Sequence, residues 1–462
     1  MAKIYDSSLE EIKEIISQKM ISVGIVGFGY IGTCIGAVLA GKDINTIGVD
    51  TNLQIIESIN KGITDINEPG LNELIEKGVK AGKLSASSDF SVLEDVDIVI
   101  ITVGTPLNDD YSANTDHIIS AVQSISKHIQ KGHLVILKST IPPFTTEDIV
   151  KPILEKSGLT AGKDFGLVFS PERLAEGNAI NEFQSIPIIV GGIDDKSSKV
   201  SSLLWEQVLG VDTMIVSNLK TAEMTKLADN LWIDLNIALG NELALLSDKI
   251  GVDALEVINA ANTLPKVNHN VNILMPSMGV GGYCLTKDPW FVHSMGKKFN
   301  LELKTPVASR KVNDYMPVYT FNLIEDSIKQ QNKDLKNSKV AILGIAFKNN
   351  TGDCRFTPTK YTIDLLEKSK CSLSIYDPLV NERDAKTVTN IILTKTIEEA
   401  VKSADCMAFF TGHSEFKNFS LRTLKALTSD KCSLIDGRNM FSKDEIKQIK
   451  ELGFIYHGVG RN

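Results

Sequence analysis

The sequence lacks any apolar run of about 18 residues or more, which is the length that a membrane-spanning helix requires. Its first twenty residues also lack the uninterrupted apolar segment of a signal peptide, because Glu10, Glu11, Lys13 and Glu14 interrupt the apolar positions. We therefore expect a cytoplasmic protein that has no membrane partner.

Cysteine is scarce, and the six cysteines are far apart in the sequence. They form no CxxC pair, no metal-ligand spacing and none of the dense pattern of a disulfide-stapled secreted domain. We expect no metal site and mostly buried thiols. The cysteines lie at positions 34, 284, 354, 371, 406 and 432.

Positive charge is outnumbered, since 49 Lys and Arg against 57 Asp and Glu leave a net charge of -8. The whole molecule therefore has no electrostatic reason to bind nucleic acid or anionic lipid, and any polyanion must bind in a local pocket. The remaining composition is typical of a globular chain, with 43% apolar and 23% charged residues. At about 150 residues per domain, the 462 residues predict roughly three domains.

A glycine-rich turn follows the first apolar run of the chain. Residues 21–26 indicate a strand, and the motif GFGYIG, with Gly27, Gly29 and Gly32, leads from it into a helical stretch. Such glycines let the backbone approach a pyrophosphate at the helix N-terminus. Asp50, after the second strand, can accept both ribose hydroxyls and would repel a 2'-phosphate, so the pattern favours NAD over NADP. The alternative is a turn with only a structural role.

Strands and helical stretches alternate at both ends of the chain, which predicts parallel, doubly wound sheets. Residues 221–261 lack strand patterns and carry apolar residues at helical spacing. We predict an α/β fold of two doubly wound, Rossmann-like parallel-sheet domains joined by a helical middle domain, with domain boundaries at 1–208, 209–330 and 331–462. The strands predicted from the sequence are 21–26, 46–49, 97–103, 133–138 and 166–169, then 339–343, 372–376, 406–410 and 432–435.

Cys284 stands in the segment GVGGYCLTKDP, after close-packed glycines and just before Lys287 and Asp288. A cysteine that opens a helix with charges beside it is in a setting that stabilises a reachable thiolate. We therefore expect a helix to begin at Cys284 and its thiolate to act as a nucleophile. The alternative is an inert cysteine of the core.

Two further segments carry candidate groups. In TAEMTKLADN, Lys226 and Asn230 are four residues apart and share one face of a helix. In SPERLAEG, directly after a strand, Glu172 and Glu176 stand where carboxylates can orient water or accept a proton. The alternatives are a solvated lysine on a helix surface and a solvated loop.

Together, these segments resemble the UDP-glucose/GDP-mannose dehydrogenase family of nucleotide-sugar 6-dehydrogenases. The resemblance covers nearly the whole chain, and so many motifs in matching order are very unlikely to arise by chance. The matching segments are GFGYIG, ITVGTP, KSTIPP, SPERLAEG, TAEMTKLADN, GVGGYCLTKDP, VNDYMP, LGIAFKNNTGDCR and DGRN.

The resemblance implies a four-electron oxidation of a sugar's primary alcohol to a carboxylate by two NAD+ in turn, through a thiohemiacetal and a thioester on the cysteine. By matching motifs, Cys284 is the nucleophile of this reaction. Lys226 and Asn230 hold the developing oxyanion. Asp288 and Glu172 position water and move protons.

The resemblance also implies residues that bind the two ligands. Lys348 and Arg438 of the last domain would face the diphosphate and the base of the nucleotide sugar. The NAD-binding residues implied by the motifs are Gly27, Gly29, Gly32, Asp50, Thr105, Thr140, Glu176 and Arg355.

The identity of the sugar depends on less regular positions. Residues 265–268 resemble the PRVN stretch of UDP-N-acetylmannosamine dehydrogenases, whose arginine reaches a neighbouring subunit's substrate, and Lys266 replaces that arginine here. Tyr283 stands where relatives with N-acetylated substrates have His and UDP-glucose enzymes often have Ser, whereas LAEG at 174–177 is closer to the UDP-glucose enzymes. We expect UDP-N-acetylmannosamine as substrate, with UDP-glucose or UDP-N-acetylglucosamine as alternatives.

The middle helices and Lys266 also predict a homodimer through the helical domain. Two other classes of protein are open at this point. A two-electron β-hydroxyacid-type dehydrogenase would need neither Cys284 nor a second sheet. A silent sensor of nucleotide sugars or NAD would not need Cys284, Lys226, Asn230 and Asp288 together.

Overall fold

The computed structural model describes residues 3–266 and 269–461. These residues form two compact units, one up to Asp229 and one from Asn230. The boundaries at 1–208, 209–330 and 331–462 stay a prediction, since a division into two units does not test them. Within the described ranges, no helix combines the length and the apolar character needed to cross a membrane.

The first unit contains an eight-stranded sheet with the order β3-β2-β1-β4-β5-β6-β7-β8. This order reverses between β1 and β4, which is the kind of position where open α/β sheets bind ligands. The five strands predicted here are confirmed, and β3, β7 and β8 are additional. The strands are β1 (Ser22–Val26), β2 (Asn45–Val49), β3 (Leu84–Ser87), β4 (Ile98–Ile101), β5 (Leu134–Leu137), β6 (Gly166–Phe169), β7 (Ile188–Gly192) and β8 (Thr213–Ile215).

Two apolar clusters form the core of this unit. The strands β4 and β5 are buried along their whole length, as parallel strands covered on both faces must be. The helices are α1 (Leu9–Ser17), α2 (Tyr30–Gly41), α3 (Leu53–Asn60), α4 (Leu71–Lys80), α5 (Asp116–Ile125), α6 (Lys151–Leu154), α7 (Ala179–Phe183) and α8 (Asp195–Leu209), with short 3-10 or π turns at Ile4–Asp6, Phe90–Asp95, Thr146–Val150 and Glu155–Ser157.

One pair of strands departs from the predicted parallel arrangement. The strands β6 and β7 are antiparallel, with Val168 opposite Gly192 and Phe169 opposite Gly191. An antiparallel neighbour needs no crossover, because the chain can return from the edge at which it left the sheet. Residues 170–187 therefore begin and end at the carboxyl edge of β6, and they carry the SPERLAEG motif there.

A long helix, α9 (Leu219–Ile250), begins the region that was predicted to be helical. No strand lies within the described stretch 221–261, so this prediction is confirmed. The elements that follow are α10 (Ala254–Ala261), a two-stranded ribbon of β9 (Pro265–Lys266) and β10 (His269–Asn270), α11 (Asp288–Lys298) and α12 (Thr305–Gln330).

The second unit contains a five-stranded parallel sheet with the order β12-β11-β13-β14-β15. Apolar clusters again form the core around it. The four predicted strands and the fold class are confirmed, and only β15 is additional. The elements are β11 (Lys339–Leu343), α13 (Pro358–Lys368), β12 (Ser372–Tyr376), α14 (Glu382–Ala385), α15 (Ile397–Val401), β13 (Cys406–Phe409), α16 (Leu421–Leu427), β14 (Ser433–Asp436), α17 (Lys443–Glu451) and β15 (Ile455–Gly458), with 3-10 turns at Leu335–Asn337 and Ser414–Asn418.

A buried carboxylate joins α9 to the segment that follows β5. The Oε1 atom of Glu223 accepts hydrogen bonds from the amide and the hydroxyl of Thr146, at 2.9 and 2.6 Å. Its Oε2 atom accepts one from the amide of Phe144 at 2.8 Å. Burial raises the pKa of Glu223 to about 7, although these hydrogen bonds oppose the shift.

We predict that this carboxylate makes unfolding of the protein pH-dependent. Its folded-state pKa is raised, so the stability that it contributes is complete below about pH 4.5 and is lost as the pH rises to about 7. Over this range, the unfolding free energy of the parent should fall by about 3 kcal/mol relative to that of Glu223→Gln. Urea titrations at each pH measure this change. A constant difference between the two proteins would contradict the prediction.

Candidate active site

The glycine turn after β1 is so tight that side chains are excluded from two of its three glycines. Gly27 has a φ of 89°, and an added Cβ there would lie 2.8 Å from Cγ1 of Val103. A Cβ on Gly32 would overlap the carbonyl oxygen of Gly27. At Gly29, just before α2, no described residue comes within 4 Å of such a Cβ. The turn is therefore closed on one side and open on the other.

A cavity of about 350 Å³ lies beside this turn, and Asp50 lines it. The Oδ2 atom of Asp50 accepts the amide hydrogen of Phe28 at 2.7 Å, and Oδ1 accepts that of Asn52 at 2.8 Å. Each carboxylate oxygen keeps a lone pair that can accept a ribose hydroxyl. An open glycine at a helix N-terminus and a carboxylate after the second strand fit the adenosine diphosphate part of NAD.

Thr105 and Thr140, two of the predicted cofactor-binding residues, are held together. The hydroxyl of Thr105 donates a hydrogen bond to the carbonyl oxygen of Thr140 at 2.6 Å. Thr105 follows β4 and Thr140 follows β5, and these strands are neighbours in the sheet. The motifs ITVGTP and KSTIPP therefore meet at one carboxyl edge.

The loop that carries Glu176 is fastened by a buried carboxylate from another segment. Glu68 accepts hydrogen bonds from the amides of Gly177 and Ala179, at 2.7 and 2.8 Å. The hydroxyl of Tyr30 also donates to Glu68, and burial together with this hydrogen bond raises the pKa of Tyr30. Because Tyr30 is the first residue of α2, the Glu176 loop is tied to the helix of the glycine motif.

Glu172 lies just after β6 and is only 8% exposed, so the alternative of a solvated loop is wrong for this side chain. Its Oε1 atom accepts the amide hydrogens of Arg173 and Leu174, at 2.8 and 3.2 Å. Its Oε2 atom lies 3.3 Å from Nζ of Lys138, a buried lysine that directly follows β5.

Lys226 and Asn230 are both buried side chains of α9, each 6% exposed. The alternative of a solvated lysine on a helix surface is therefore wrong. Burying a charged group in this way is costly, so buried lysines commonly serve a specific contact or reaction.

Asp288 forms the centre of a buried polar cluster in the second unit. Its Oδ2 atom accepts a hydrogen bond from Nδ2 of Asn230 at 2.5 Å, and Oδ1 accepts one from Nζ of Lys287 at 2.8 Å. The same Nζ lies 5.1 Å from the ring centre of Tyr283 and 4.5 Å from that of Phe291. Asn230 and Asp288, predicted from separate motifs, are therefore in direct contact.

Cys284 is exposed in the turn that precedes α11. The expectation that it opens the helix is wrong by four residues, because α11 begins at Asp288. Pro289 explains this start, since proline is favoured in the first turn of a helix and disrupts its interior. The carbonyl oxygen of Cys284 accepts the amide hydrogen of Asp288 at 2.9 Å, so the turn continues directly into the helix.

The other cysteines differ from Cys284 in their burial. None of the six forms a disulfide. Burial raises the pKa of each of the other five thiols, which disfavours their reactive thiolate forms. The prediction of mostly buried thiols is confirmed, with Cys284 as the exposed exception.

The glycines before Cys284 allow it to lie close to the segment of Arg355. A Cβ on Gly282 would lie 2.8 Å from the ring of Phe347. The amide of Gly282 donates a hydrogen bond to the carbonyl oxygen of Arg355 at 3.0 Å, and the guanidinium of Arg355 pairs with Asp353 at 2.5 Å. The motifs GVGGYC and NNTGDCR therefore meet within the second unit.

Arg438 follows β14, and its guanidinium is fixed by backbone carbonyls. Its Nε atom donates to Phe410 and one terminal nitrogen donates to Phe347, both at 2.8 Å. Burial lowers the pKa of Arg438 to about 10, which still leaves it protonated at neutral pH. Lys348 is the next residue after Phe347 and is half-buried. Both candidate cations of this sheet are therefore located at residues 347–348, since Lys348 belongs to this segment and Arg438 donates a hydrogen bond to it.

The second sheet repeats the turn that follows β1. Gly344, after β11, also has a φ of 89°, and Asp377, after β12, accepts the amide hydrogen of Ile345 at 2.7 Å. Asp377 is buried, and its Oδ2 atom lies 3.3 Å from Nε2 of His413. Although burial favours the protonated form, the hydrogen bond and charge of His413 hold the pKa of Asp377 below its usual value.

Lys266 is exposed and lines a mainly apolar groove of about 620 Å³ in the second unit. Trp232, Leu235 and Leu239 of α9 line the same groove. Val267 and Asn268, which complete the stretch 265–268, lie outside the described residues.

Sequence reasoning missed several residues of these sites. Thr102, Gly104 and His117 line the cavity beside Asp50, and Lys138 contacts Glu172. Thr102 and Gly104 belong to ITVGTP and Lys138 begins KSTIPP, so the motifs themselves pointed to them. His117 reaches the cavity from α5 and had no such signal. Among the described residues, no group of three or more His, Cys, Asp or Glu side chains could hold a metal ion.

Family models of three domains match this chain. The NAD binding domain of the UDP-glucose/GDP-mannose dehydrogenase family matches residues 21–209, its central domain matches 220–315, and its UDP binding domain matches 341–443. The chain therefore belongs to the UDP-glucose/GDP-mannose dehydrogenase family.

Relatives of similar length support this assignment. The UDP-N-acetyl-D-mannosamine dehydrogenase of Methanococcus aeolicus is 36% identical over 87% of this chain and 87% of its own length. The structure of UDP-D-ManNAc dehydrogenase from Pyrococcus horikoshii, at 31% identity, covers 96% of this chain and 99% of its own with a TM-score of 0.86. A UDP-glucose dehydrogenase structure from Pyrobaculum islandicum, at 27% identity, covers 96% and 98% with a TM-score of 0.85.

The chain is thus an NAD-dependent oxidoreductase of UDP-sugars. The match of the second sheet to a UDP binding domain disagrees with the two-electron β-hydroxyacid alternative, which needs no such sheet. Membership of a dehydrogenase family likewise disagrees with the silent sensor.

We predict that alanine at Gly29 weakens NAD+ binding, whereas alanine at Gly32 lowers the stability of the protein. Gly29→Ala has open space, so it should keep the thermal unfolding midpoint and weaken NAD+ binding about tenfold, because its methyl group occupies the approach of the pyrophosphate. Gly32→Ala must displace the Gly27 carbonyl and should destabilise the protein by about 1–3 kcal/mol. Thermal unfolding and calorimetric titration with NAD+ measure the two effects. Unchanged NAD+ affinity in Gly29→Ala would argue against cofactor binding at this turn.

Proposed function

We propose that this chain oxidises the C6 alcohol of a UDP-sugar to a carboxylate in two NAD-dependent steps, with Cys284 as the nucleophile. The observation that carries the proposal is the position of Cys284 beside Asp288. The thiol is exposed in the turn before α11, whose first residue, Asp288, is a buried carboxylate held by Asn230 and Lys287. An exposed thiol in the turn that leads directly to a fixed carboxylate, which can serve as a proton acceptor, supports covalent catalysis.

The reaction proceeds through two species bound to Cys284. The first oxidation converts the primary alcohol to an aldehyde, and the thiolate adds to the aldehyde carbon to form a thiohemiacetal. Oxidation of the thiohemiacetal gives a thioester, and water then releases the acid and restores the thiol. NAD+, when bound, accepts the hydride of each oxidation, so one UDP-sugar consumes two NAD+.

The remaining catalytic roles follow from charge and burial. Lys226 and Asn230 stabilise the oxyanion, since donors in a buried position act without competition from water. Asp288 and Glu172 move protons and position the water that cleaves the thioester. Both carboxylates are buried and held by hydrogen bonds, which orients them in advance.

We assign the ligand contacts in the same way. The cavity beside Asp50 and the open side of Gly29 support the cofactor positions, and the fixed guanidinium of Arg438 supports binding of a diphosphate. The proposed NAD contacts are Gly27, Gly29, Gly32, Asp50, Thr105, Thr140, Glu176 and Arg355, and the proposed UDP-sugar contacts are Lys266, Lys348 and Arg438.

The preferred substrate is UDP-N-acetylmannosamine. Relatives at 31% and 36% identity carry that activity in their names, and residues 265–268 resemble the corresponding stretch of such enzymes. UDP-glucose remains the main alternative because of LAEG at 174–177, and a UDP-glucose dehydrogenase has a similar fold. UDP-N-acetylglucosamine is the other alternative. Tyr283 matches neither the His of relatives with N-acetylated substrates nor the Ser that UDP-glucose enzymes often have.

The product and the assembly follow from the same chemistry. A UDP-linked uronic acid is an activated sugar, so we propose that a glycosyl transfer consumes it in polysaccharide synthesis. Six cysteines without a disulfide suit a reducing compartment, and we place the enzyme in the cytoplasm.

We further propose a homodimer through the helical region, because Trp232, Leu235 and Leu239 expose apolar side chains on one face of α9.

We predict that Cys284→Ser loses steady formation of the acid while folding and NAD+ binding persist, because an alkoxide cannot replace the thiolate as nucleophile here. The parent should produce two NADH per molecule of UDP-N-acetylmannosamine consumed, and kcat/KM for that sugar should exceed the value for UDP-glucose by about a hundredfold. Absorbance of NADH and chromatography of the sugar products measure these quantities.

Each of the three parts of this prediction has its own contradicting outcome. One NADH per sugar in the parent would contradict the four-electron reaction, whereas near-parent acid formation by Cys284→Ser would contradict the covalent mechanism. Equal or faster turnover of UDP-glucose would identify LAEG as the better guide to the sugar.

We also predict that Leu239→Glu weakens the dimer. A carboxylate buried without a partner in an apolar contact is costly, so the dissociation constant should rise at least about tenfold. Ile392→Glu is a matched control, since Ile392 is the most exposed large apolar side chain of those described and lies on the second sheet's unit. Light scattering over a dilution series measures both. If light scattering of the parent shows only a 50.5 kDa species at assay concentration, the proposed dimer is contradicted.

A further inference from the structure

Glu172 has a partner that the reaction scheme does not use. Nζ of Lys138 lies 3.3 Å from Oε2 of Glu172 and 3.3 Å from the carbonyl oxygen of Ser170, to which it donates a hydrogen bond. The two side chains are 1% and 9% exposed. They follow the neighbouring strands β5 and β6, so the sheet itself brings them together.

The surroundings of Lys138 are suited to an ammonium ion. Its Nζ lies 5.2 Å from the ring centre of Trp205 and 5.7 Å from that of Phe183. An ammonium group has three donors and no acceptor, and here it faces a carbonyl, a carboxylate and two aromatic rings, all of which favour a cation. Burial lowers the pKa of Lys138, and the charge of Glu172 opposes this shift.

The carboxylate of Glu172 is held by backbone amides at one oxygen, whereas its other oxygen accepts no backbone hydrogen bond from the described residues. Its Oε1 atom accepts the amide hydrogens of Arg173 and Leu174. Its Oε2 atom is buried and accepts no hydrogen bond from the residues that the structure describes, although Lys138 lies near it. A lone pair of Oε2 can therefore accept a proton from water, which is the task proposed for Glu172.

We propose that Lys138 is a positioning residue for Glu172, which holds that carboxylate in place and directs its Oε2 atom. Lys138 acts through Glu172 and carries out no chemical step itself. The inference depends on the function proposed above, because it deepens the role assigned there to Glu172.

Other charged groups also face this pair. Arg173 of the same loop and Lys226 of α9 act electrostatically on Lys138, and Arg173 lies 3.8 Å from Asp229. Cys34 of α2 is influenced by Glu172, but burial raises the pKa of this thiol and keeps it neutral. A variant that removes the Glu172 carboxyl is therefore needed to attribute a pH effect to Glu172.

The first test compares pH profiles of kcat for acid formation. In Lys138→Met, kcat at pH 7 should fall about tenfold and the acidic limb of the profile should move to higher pH, because the variant removes the charge that faces the Glu172 carboxylate. Lys138→Arg, which keeps the charge, should return the acidic limb most of the way to its position in the parent. Glu172→Gln should lower kcat about 100-fold and remove the limb, and adding Lys138→Met should cause no further loss.

A purely structural lysine predicts a different pattern. In that case Lys138→Met would lose the same fraction of kcat at every pH, and its loss would add fully to that of Glu172→Gln. Either result would overturn the inference.

A second test needs neither activity nor a substitution of Lys138. In Glu172→Gln the buried ammonium has lost its carboxylate, so its folded-state pKa falls further below 10.5 and the unfolded chain binds more protons than the native state. The stability lost at pH 7 should therefore be regained as the pH rises toward about 10. Glu76→Gln, in the exposed pair with Lys80, is the matched control and should show no recovery.

The two tests distinguish this inference from the proposed function. A pH-independent deficit in Glu172→Gln would overturn the coupling of Lys138 and Glu172 even if the parent forms two NADH per sugar. A parent that forms no acid would contradict the proposed function, and the role of Lys138 in that reaction would fall with it. Recovery at high pH would then still support the ion pair alone.

Discussion

A carboxylate after the second strand of each sheet holds the turn after the first strand, and both ligand-binding edges depend on this contact. Asp50 accepts the amide hydrogen of Phe28, and Asp377 accepts that of Ile345, both at 2.7 Å. An unpaired buried amide would cost about 1–3 kcal/mol, so the acid stabilises a backbone bend that the preceding glycine makes possible. In the first unit, α2 begins directly after the turn, and the direction of its N-terminus follows from that bend.

The same arrangement leads to different binding chemistry in the two sheets. Asp50 lines a cavity and keeps lone pairs for a ligand, whereas Asp377 is buried against His413. The second sheet therefore cannot offer this carboxylate to a ribose. Two cationic side chains, Lys348 and Arg438, lie near its edge beside or next to Phe347. This difference agrees with the matches of the two sheets to an NAD binding domain and a UDP binding domain.

Much of the fold was predictable because several strands, such as β1, β2, β11 and β12, are short, largely apolar runs followed directly by glycine or aspartate. The strands β11 and β12 match the prediction residue for residue. The strand β7 was missed, because a local pattern cannot show that the chain returns antiparallel from the same edge. Glu172 was found through its motif, but its burial beside Lys138 was not, since Lys138 is packed against Phe183 and Trp205 from α7 and α8. Such contacts depend on residues distant in sequence.

The antiparallel step from β6 to β7 has a consequence for how this protein can change over evolutionary time. A crossover between parallel strands must span the sheet, so its length is constrained by the distance that it covers. The chain leaves the sheet before residue 170 and re-enters it after residue 187 at the same edge. Insertions or deletions in this segment therefore do not require any strand to change its position in the sheet. Glu172 and Glu176 lie in this segment together with the LAEG motif. This segment can therefore change in length while the eight strands keep their order.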